Sequence, residues 1–248
     1  MERSVIVTGG SRGIGRAISL GAAKAGYQVC VNYAHNAAAA GDVVSEIEAT
    51  GGKAITVQAD MTKEADILRM FETTDRELAP LAALVNNAGI VDTASKVEGM
   101  SLNRLERMFT TNITGPFLCA REAVKRLSTA HGGKGGGIVN ISSVAAKLGS
   151  PGEYVDYAAS KAAIDTMTIG LAKEVAAEGI RVNAVRPGVI YTDIHASGGE
   201  PGRVDRVKSM VPMQRGGEAG EIADTVLWLL SDKSSYVTGS LIDVSGGR

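Results

Sequence analysis

Strand-length apolar runs alternate with longer segments of helical period along the chain, and no other feature constrains the fold as much. "SVIVT" (4–8) is followed by "GIGRAISLGAAKAG", "QVCVNY" (28–33) by "AAAAGDVVSEIEATG", and "KAITVQA" (53–59) by "TKEADILRMFETTDREL". "LAALVNN" (81–87) precedes a helical stretch from about 101 to 130, and "GGIVNIS" (136–142) a helix near 155–178. "IRVNAVRP" (180–187), a helix near 218–231 and "SLIDV" (240–244) close the series. The runs are apolar almost throughout rather than at every second residue, so both faces of each strand are expected to be buried. Alternation of this kind implies parallel strands with right-handed crossovers. The expectation is an α/β protein with a doubly wound, Rossmann-like fold: a central parallel sheet of about seven strands with helices on both faces.

A chain of 248 residues, 44% hydrophobic and 21% charged, suits one large domain over 1–248 better than two small ones. The formal net charge of −1 and an aromatic content of 4% argue against nucleic acid or an anionic membrane as partner. No apolar run approaches the ~18 residues of a membrane span. "MERSVIVTGG" enters a strand at once, so no signal peptide is expected. Cys30 and Cys119 stand alone, without a Cys or His at metal-ligand spacing, and are read as buried thiols in a reducing compartment. A cytoplasmic protein with no metal site is expected.

Two glycine-rich stretches fall outside the alternation. "HGGKGGG" (131–137) lacks the Ser or Thr that follows the lysine of a phosphate loop, and is read as a flexible connection. The polar insertion at 193–212 is read as a substrate lid with hinge freedom at Gly198, Gly199 and Gly202; a plain surface loop is the alternative.

"VTGGSRGIGRAI" follows the first strand and opens the first helix, with Gly9, Gly13 and Gly15 in a G-x-x-x-G-x-G pattern. Glycines let backbone approach a pyrophosphate, and the helix N-terminus offers free N–H groups and a positive dipole end. Ligands of an open α/β sheet bind beyond the carboxyl ends of its strands. Those ends read Asn32-Tyr33, Asp60-Met61, "NNAG" (86–89), "ISS" (141–143) and "RPGVIYT" (186–192). Within "YVDYAASK", Tyr157 and Lys161 are four apart, one helical turn, and so share a face.

Taken in order, "TGGSRGIG", "DM", "NNAG", Asn112, "ISS", "YAASK" and "RPGVIYT" closely resemble the short-chain dehydrogenase/reductase family over essentially the whole chain. The nearest resemblance is to bacterial 3-oxoacyl-carrier-protein reductases and glucose dehydrogenases. The resemblance implies an oxidoreductase acting on a small carbonyl or alcohol substrate, in a homotetramer. It implies Tyr157 as acid/base, Lys161 as the cation beside it, Ser143 on the carbonyl oxygen and Asn112 in a proton relay. Ser142 is the alternative to Ser143, because the interval 157 − 143 = 14 is one longer than usual for the family. Successive side chains of a strand point to opposite faces, so only one serine can reach the crevice. Gly115 and Pro116 would kink the helix that carries Asn112, freeing a carbonyl to hold a water near the lysine. The cofactor set carried over is Gly9, Ser11, Arg12, Gly13, Ile14, Gly15, Asn32, Tyr33, Asp60, Met61, Asn87, Ala88, Gly89, Tyr157, Lys161, Pro187, Gly188, Ile190 and Thr192.

An unperturbed tyrosine titrates near ~10; lowering that by about 3 requires about 4 kcal/mol. A lysine cation at ~4 Å in an effective dielectric of about 20 supplies roughly that amount. A nucleotide-binding relative without chemistry would be expected to lack Tyr, Lys or Ser, and all are present. NADP(H) is expected over NAD(H). The stretch "VNYAHNAAAA" (31–40) has no acid to accept a ribose 2′-hydroxyl, and Arg12 could bond a 2′-phosphate, with Asn32 and the Tyr33 backbone completing its pocket.

Overall fold

A computed structural model describes residues 2–248. Its seven strands are β1 (Arg3–Val7), β2 (Tyr27–Tyr33), β3 (Ala54–Gln58), β4 (Leu81–Asn86), β5 (Gly136–Ile141), β6 (Ile180–Pro187) and β7 (Leu241–Val244). They pair in parallel, in the order β3-β2-β1-β4-β5-β6-β7. The order reverses between β1 and β4, and there the diverging crossovers leave a crevice at the carboxyl edge.

The helices are α1 (Gly13–Lys24), α2 (Ala37–Ala49), α3 (Glu64–Glu77), α4 (Leu102–Phe109), α5 (Gly115–Leu127), α6 (Ala145–Leu148), α7 (Val155–Val175), α8 (Ile194–Ser197), α9 (Arg203–Val207) and α10 (Ala219–Leu230). Val5 and Val7 of β1 pack toward α1, α2 and α10, with Ile18, Val43 and Val226. Ile6, between them, packs on the other face with Phe71 of α3, Cys119 of α5 and Val175 of α7. This two-sided burial is why the strands read as continuous apolar runs. No described helix is long and apolar enough to cross a membrane.

Three local features add detail to the pattern-based reading. The break near Gly115–Pro116 is a five-residue π turn, Thr110–Thr114, between α4 and α5, in which the Gly115 N–H donates to the Thr110 carbonyl. Pro116 has no N–H to continue the ladder. Gly115 is forced by contact: a Cβ there would stand 2.6 Å from the Met61 carbonyl oxygen. Secondly, the stretch 131–137 is not slack. A Cβ on Gly135 or Gly136 would lie 2.5 Å from the Gly179 carbonyl or 2.4 Å from that of Ala82. Lastly, the insertion at 193–212 carries α8 and α9 and is anchored by buried Val204, Val207 and Val211. Arg203 and Arg206 of α9 both pair with Glu153 and Glu200. Of its three proposed hinge glycines, only Gly199 adopts a left-handed backbone (φ 81°).

Gly115→Ala should therefore push α5 away from the chain that leaves β3. Overpacking of this kind costs typically about 1–3 kcal/mol. A thermal melt should show Tm lowered by roughly 2–10 °C; an unchanged Tm would contradict the contact argument.

Candidate active site

The glycine turn is held from below by side chains of neighbouring strands. The Gly9 N–H donates to Asn32 Oδ1 (3.0 Å), and Asn87 Nδ2 donates to the Thr8 and Gly9 carbonyls (2.9 and 3.1 Å). Thr8 Oγ1 accepts from the Asn87 and Ala88 amides at 2.9 and 3.0 Å. Gly15 is obligatory, since a Cβ there would sit 2.1 Å from the Gly9 carbonyl oxygen. Gly13 faces Thr192 across the crevice, its Cβ position 3.2 Å from Thr192 Cγ2. The first turn of α1 carries no acid, and its N-cap residue, Arg12, makes no capping bond with its side chain. A helix start of this kind presents free N–H groups to an anion.

On the other side of the crevice, α7 carries Tyr157 and Lys161. The Lys161 ammonium is buried and donates to the Ile141 carbonyl at 2.8 Å. Burial pulls its pKa down to about 8, against an opposing pull from Asp165 one turn on. Ser143 lies beside the Tyr157 hydroxyl, close enough to act on its pKa, and both border the same cavity. Ser142 Oγ instead donates to the Lys161 carbonyl at 3.1 Å, so the neighbouring serine fastens α7 to the end of β5. The geometry therefore brings Ser143, not Ser142, to the tyrosine.

The electrostatics differ from the sequence expectation. Burial pushes the Tyr157 pKa up, with the nearby Ser143 opposing. The Lys161 ammonium lies 5.6 Å from the Tyr157 ring centroid, with one N–H bond directed at Ile141. Desolvation of the phenol outweighs a cation that is not aimed at its oxygen.

Asn112 lies in the π turn, buried. Its Oδ1 accepts from the Ile90 N–H at 2.9 Å, and its Nδ2 donates to the Ile90 carbonyl at 2.9 Å and to Ser160 Oγ at 3.2 Å. The side chain thus joins the segment after β4 to α7. Gly89 lies against both groups, its Cβ position 3.4 Å from Asn112 Oδ1 and 3.5 Å from Lys161 Nζ.

These parts border a common cavity of about 170 Å³. Ser143, Tyr157, Lys161, Asn87 and Gly89 line it together with Ile14, Pro187, Gly188, Ile190 and Thr192. Val91, Val144, Leu148, Val189 and Ile194 supply an apolar wall. The glycine cradle, the open helix N-terminus and the cavity together suit a dinucleotide: the start of α1 would hold its pyrophosphate and the cavity beside Tyr157 its reactive ring. Among the described residues, no three His, Cys, Asp or Glu side chains gather as a metal would require. Cys30 and Cys119 are buried, with pKa pushed up to about 12 by desolvation, and are poor nucleophiles.

Several expected cofactor residues have other partners. Asn32 Nδ2 donates to the carbonyls of Val57 (3.2 Å) and Ala59 (3.1 Å), so this buried amide is spent on the ends of β2 and β3. The Tyr33 carbonyl accepts the Ala59 N–H at 3.0 Å and offers no donor to a phosphate. That corrects the expected 2′-phosphate pocket in one part: the Asn32 amide is not free for it. Met61 buries its thioether against Cys119, leaving its main chain for a ligand. Asp60 Oδ1 accepts from the Thr62 amide and hydroxyl in a local turn. Arg12 is exposed, and Ser11 is half-buried beside it.

Other site groups were missed by sequence reasoning. Asn86 and Asn140 are in register on β4 and β5, and Asn86 Nδ2 donates to Asn140 Oδ1 (3.0 Å) and to the Pro116 carbonyl (3.2 Å). Asn140 Nδ2 continues to Thr168 of α7 at 2.9 Å. The signal was an asparagine inside an apolar strand, "GGIVNIS". Nothing in the sequence pattern pointed to the buried pair of Arg104 and Asp156.

Comparison with known proteins matches residues 9–248 to the family described as enoyl-(acyl carrier protein) reductase. The chain is 63% identical over 243 residues, 98% of both chains, to an uncharacterized oxidoreductase of Escherichia coli K12, YgfF. It is 40% identical to a 3-oxoacyl-[acyl-carrier-protein] reductase of Synechocystis, over 98% of this chain and 95% of that one. Among solved structures, a short chain dehydrogenase of Burkholderia cenocepacia J2315 in complex with NADP superposes with TM-score 0.90 at 31% identity. That match covers 99% of this chain and 97% of the other.

The buried lysine gives a stability prediction. Its depression from 10.5 to about 8 corresponds to about 3 kcal/mol against the cation, at or above the ~1.5–3 kcal/mol typical of a hydrogen bond to a charged group. Because the folded-state pKa lies below the unfolded one, the penalty is full below about pH 8 and is relieved as pH rises toward 10.5. Lys161→Met should therefore raise Tm at pH 7, and its advantage over wild type should shrink by pH 10. A Tm difference that does not change with pH would contradict the burial argument.

Proposed function

Since the chain belongs to the short-chain dehydrogenase/reductase family of oxidoreductases, we propose that it transfers hydride between NADP(H) and a carbonyl or secondary alcohol. The observation that carries this reading is that Ser143, Tyr157 and Lys161 border one cavity together with the turn that follows β6. The nicotinamide, when bound, supplies or accepts the hydride; the protein supplies position and a proton. Tyr157 gives that proton to the substrate oxygen, and Ser143 donates a hydrogen bond to the same oxygen as charge develops on it. Lys161 stabilises the tyrosinate, in a buried setting where its charge acts at low effective dielectric, and bonds the ribose of the cofactor. Asn112 acts through position: its amide is engaged with Ile90 and Ser160. Its carbonyl lies four residues before Pro116, which has no N–H to offer, and is the group suited to a water relay.

NADP(H) rather than NAD(H) is supported by the end of β2, where the first carboxylate after the strand is Asp42, exposed on α2. It is also supported by Arg12, whose exposed guanidinium has no partner among the described residues. With the Asn32 amide engaged elsewhere, Arg12 carries the 2′-phosphate contact in this proposal. The insertion at 193–212 serves as the substrate lid, since Ile194, Gly198 and Arg203 border the cavity. Exposed Phe117 on α5 and Ile169 on α7 are apolar surface suited to the homotetramer expected of the family. A 3-oxoacyl thioester, a sugar and a small ketone remain the candidate substrates, to be separated by a panel of these with NADPH, followed by absorbance.

Tyr157→Phe should bind NADPH as wild type does while kcat falls below a tenth of the wild-type value; a higher residual kcat would remove Tyr157 as proton donor. Arg12→Ala loses a charge-assisted contact of ~1.5–3 kcal/mol. KM for NADPH should rise roughly ten- to a hundredfold, with KM for NADH nearly unchanged. A wild-type preference for NADH in kcat/KM would overturn the cofactor assignment whatever the variant does.

A further inference from the structure

The residue before the proposed acid/base belongs to a buried ion pair that the reaction scheme does not use. Arg104 of α4 and Asp156 of α7 have side chains only 9% and 0% exposed. Arg104 donates through Nε to Asp156 Oδ2 at 2.7 Å and through Nη2 to Oδ1 at 3.2 Å. Asp156 Oδ1 also accepts the Tyr157 N–H at 2.9 Å, inside the first turn of α7, where a carboxylate is favoured by the helix dipole. The third arm of the guanidinium, Nη1, donates to the Thr93 carbonyl at 2.7 Å.

Thr93 belongs to the segment that leaves β4 and forms one wall of the site. Ile90 of that segment is clasped by Asn112, Val91 borders the cavity, and the Ser95 N–H donates to the Glu153 carbonyl at 2.9 Å. Thr93 also meets the insertion, its Cγ2 3.4 Å from the Cβ position of Gly199. One guanidinium therefore spans α4, the substrate-side wall and the turn that carries Tyr157. Only arginine has donors in a fixed fork that can serve a carboxylate with two arms and a carbonyl with a third.

We propose that Arg104 and Asp156 are positioning residues that fix Tyr157 relative to the wall at 90–96, so that the pair governs proton transfer to the bound carbonyl and not cofactor affinity. The inference rests on the proposed function for its kinetic consequences but not for the mechanical coupling. A pair that only stabilised the fold would lower Tm and NADPH affinity along with turnover. The glycine turn at 9–15 has no contact with this pair, so a positioning pair leaves NADPH binding alone.

The test uses Arg104→Lys, which keeps the charge and loses the fork, and Asp156→Asn, which keeps the shape and an acceptor for the Tyr157 amide. For each, kcat on the best carbonyl substrate, Kd for NADPH by fluorescence and hydrogen exchange are measured on the full chain. Arg104→Lys should lower kcat at least tenfold, with Kd for NADPH within twofold of wild type. Exchange should rise in 90–96 and 155–160 together and stay unchanged in 9–15. Asp156→Asn should show the same pattern at smaller amplitude, and decides the matter if the lysine variant does not fold. A kcat within twofold of wild type, a loss of NADPH affinity as large as that of kcat, or faster exchange in only one of the two segments would overturn the proposal. Should wild type reduce no carbonyl at all, the proposed function fails, and the exchange data alone still decide whether the pair couples the two segments.

Discussion

Buried asparagine amides hold together the carboxyl edge of the sheet, and the rest of the site depends on them. A parallel strand that ends at a crevice leaves main-chain groups with no strand to pair with, and burial makes an unpaired group expensive. Asparagine brings donors and an acceptor on one short side chain. Asn32 ties β2 and β3 to the glycine turn, Asn87 ties that turn to the end of β4, and Asn86 with Asn140 ties β4 and β5 to α5 and α7. Asn183 works away from that edge: from the middle of β6 it holds the segment entering β7, donating to the Val237 carbonyl at 2.8 Å and accepting the Ser240 N–H at 3.0 Å. The glycine cradle keeps its shape because polar side chains, not only glycine geometry, fix both its ends.

On this scaffold the site concentrates charge in a place that opposes it. Lys161 is buried with a single hydrogen bond, and Asp165 one turn along gives Arg186 two bonds through one oxygen while the other has no partner. Arg186 continues to Asp243, its register partner on β7, and Asp243 pairs with Lys147 of α6. Alternating charges thus run from the lysine's helix across the last two strands to the helix bordering the cavity. Sites that run against local stability in this way are where function is expected to reside.

The sheet, its seven strands and the two-sided core were legible because β-strand burial on both faces leaves a run such as Ile6 between Val5 and Val7 that no exposed strand would carry. The glycine turn and the Tyr157–Lys161 spacing were legible because they are local. What sequence could not reveal was the destination of long-range hydrogen bonds. Asn32 looked like a ligand for a phosphate, yet its partners at Val57 and Ala59 are 25 and 27 residues away. Arg104 and Asp156 are separated by 52 residues and show no periodicity that would bring them together. The π turn escaped for a related reason, since Gly115 owes its place to the distant Met61 carbonyl as much as to its neighbour Pro116.

The central proposal is that the buried Lys161 cation assists proton transfer by Tyr157, and the pH dependence of carbonyl reduction tests it most directly. With the lysine titrating at about 8, kcat/KM of the wild-type enzyme should fall as pH rises through that value. In Lys161→Arg, whose guanidinium stays charged, the residual activity should not fall over the same range. A wild-type profile that stays level from pH 7 to about 9.5, or an arginine variant with the same descending limb, would contradict the account.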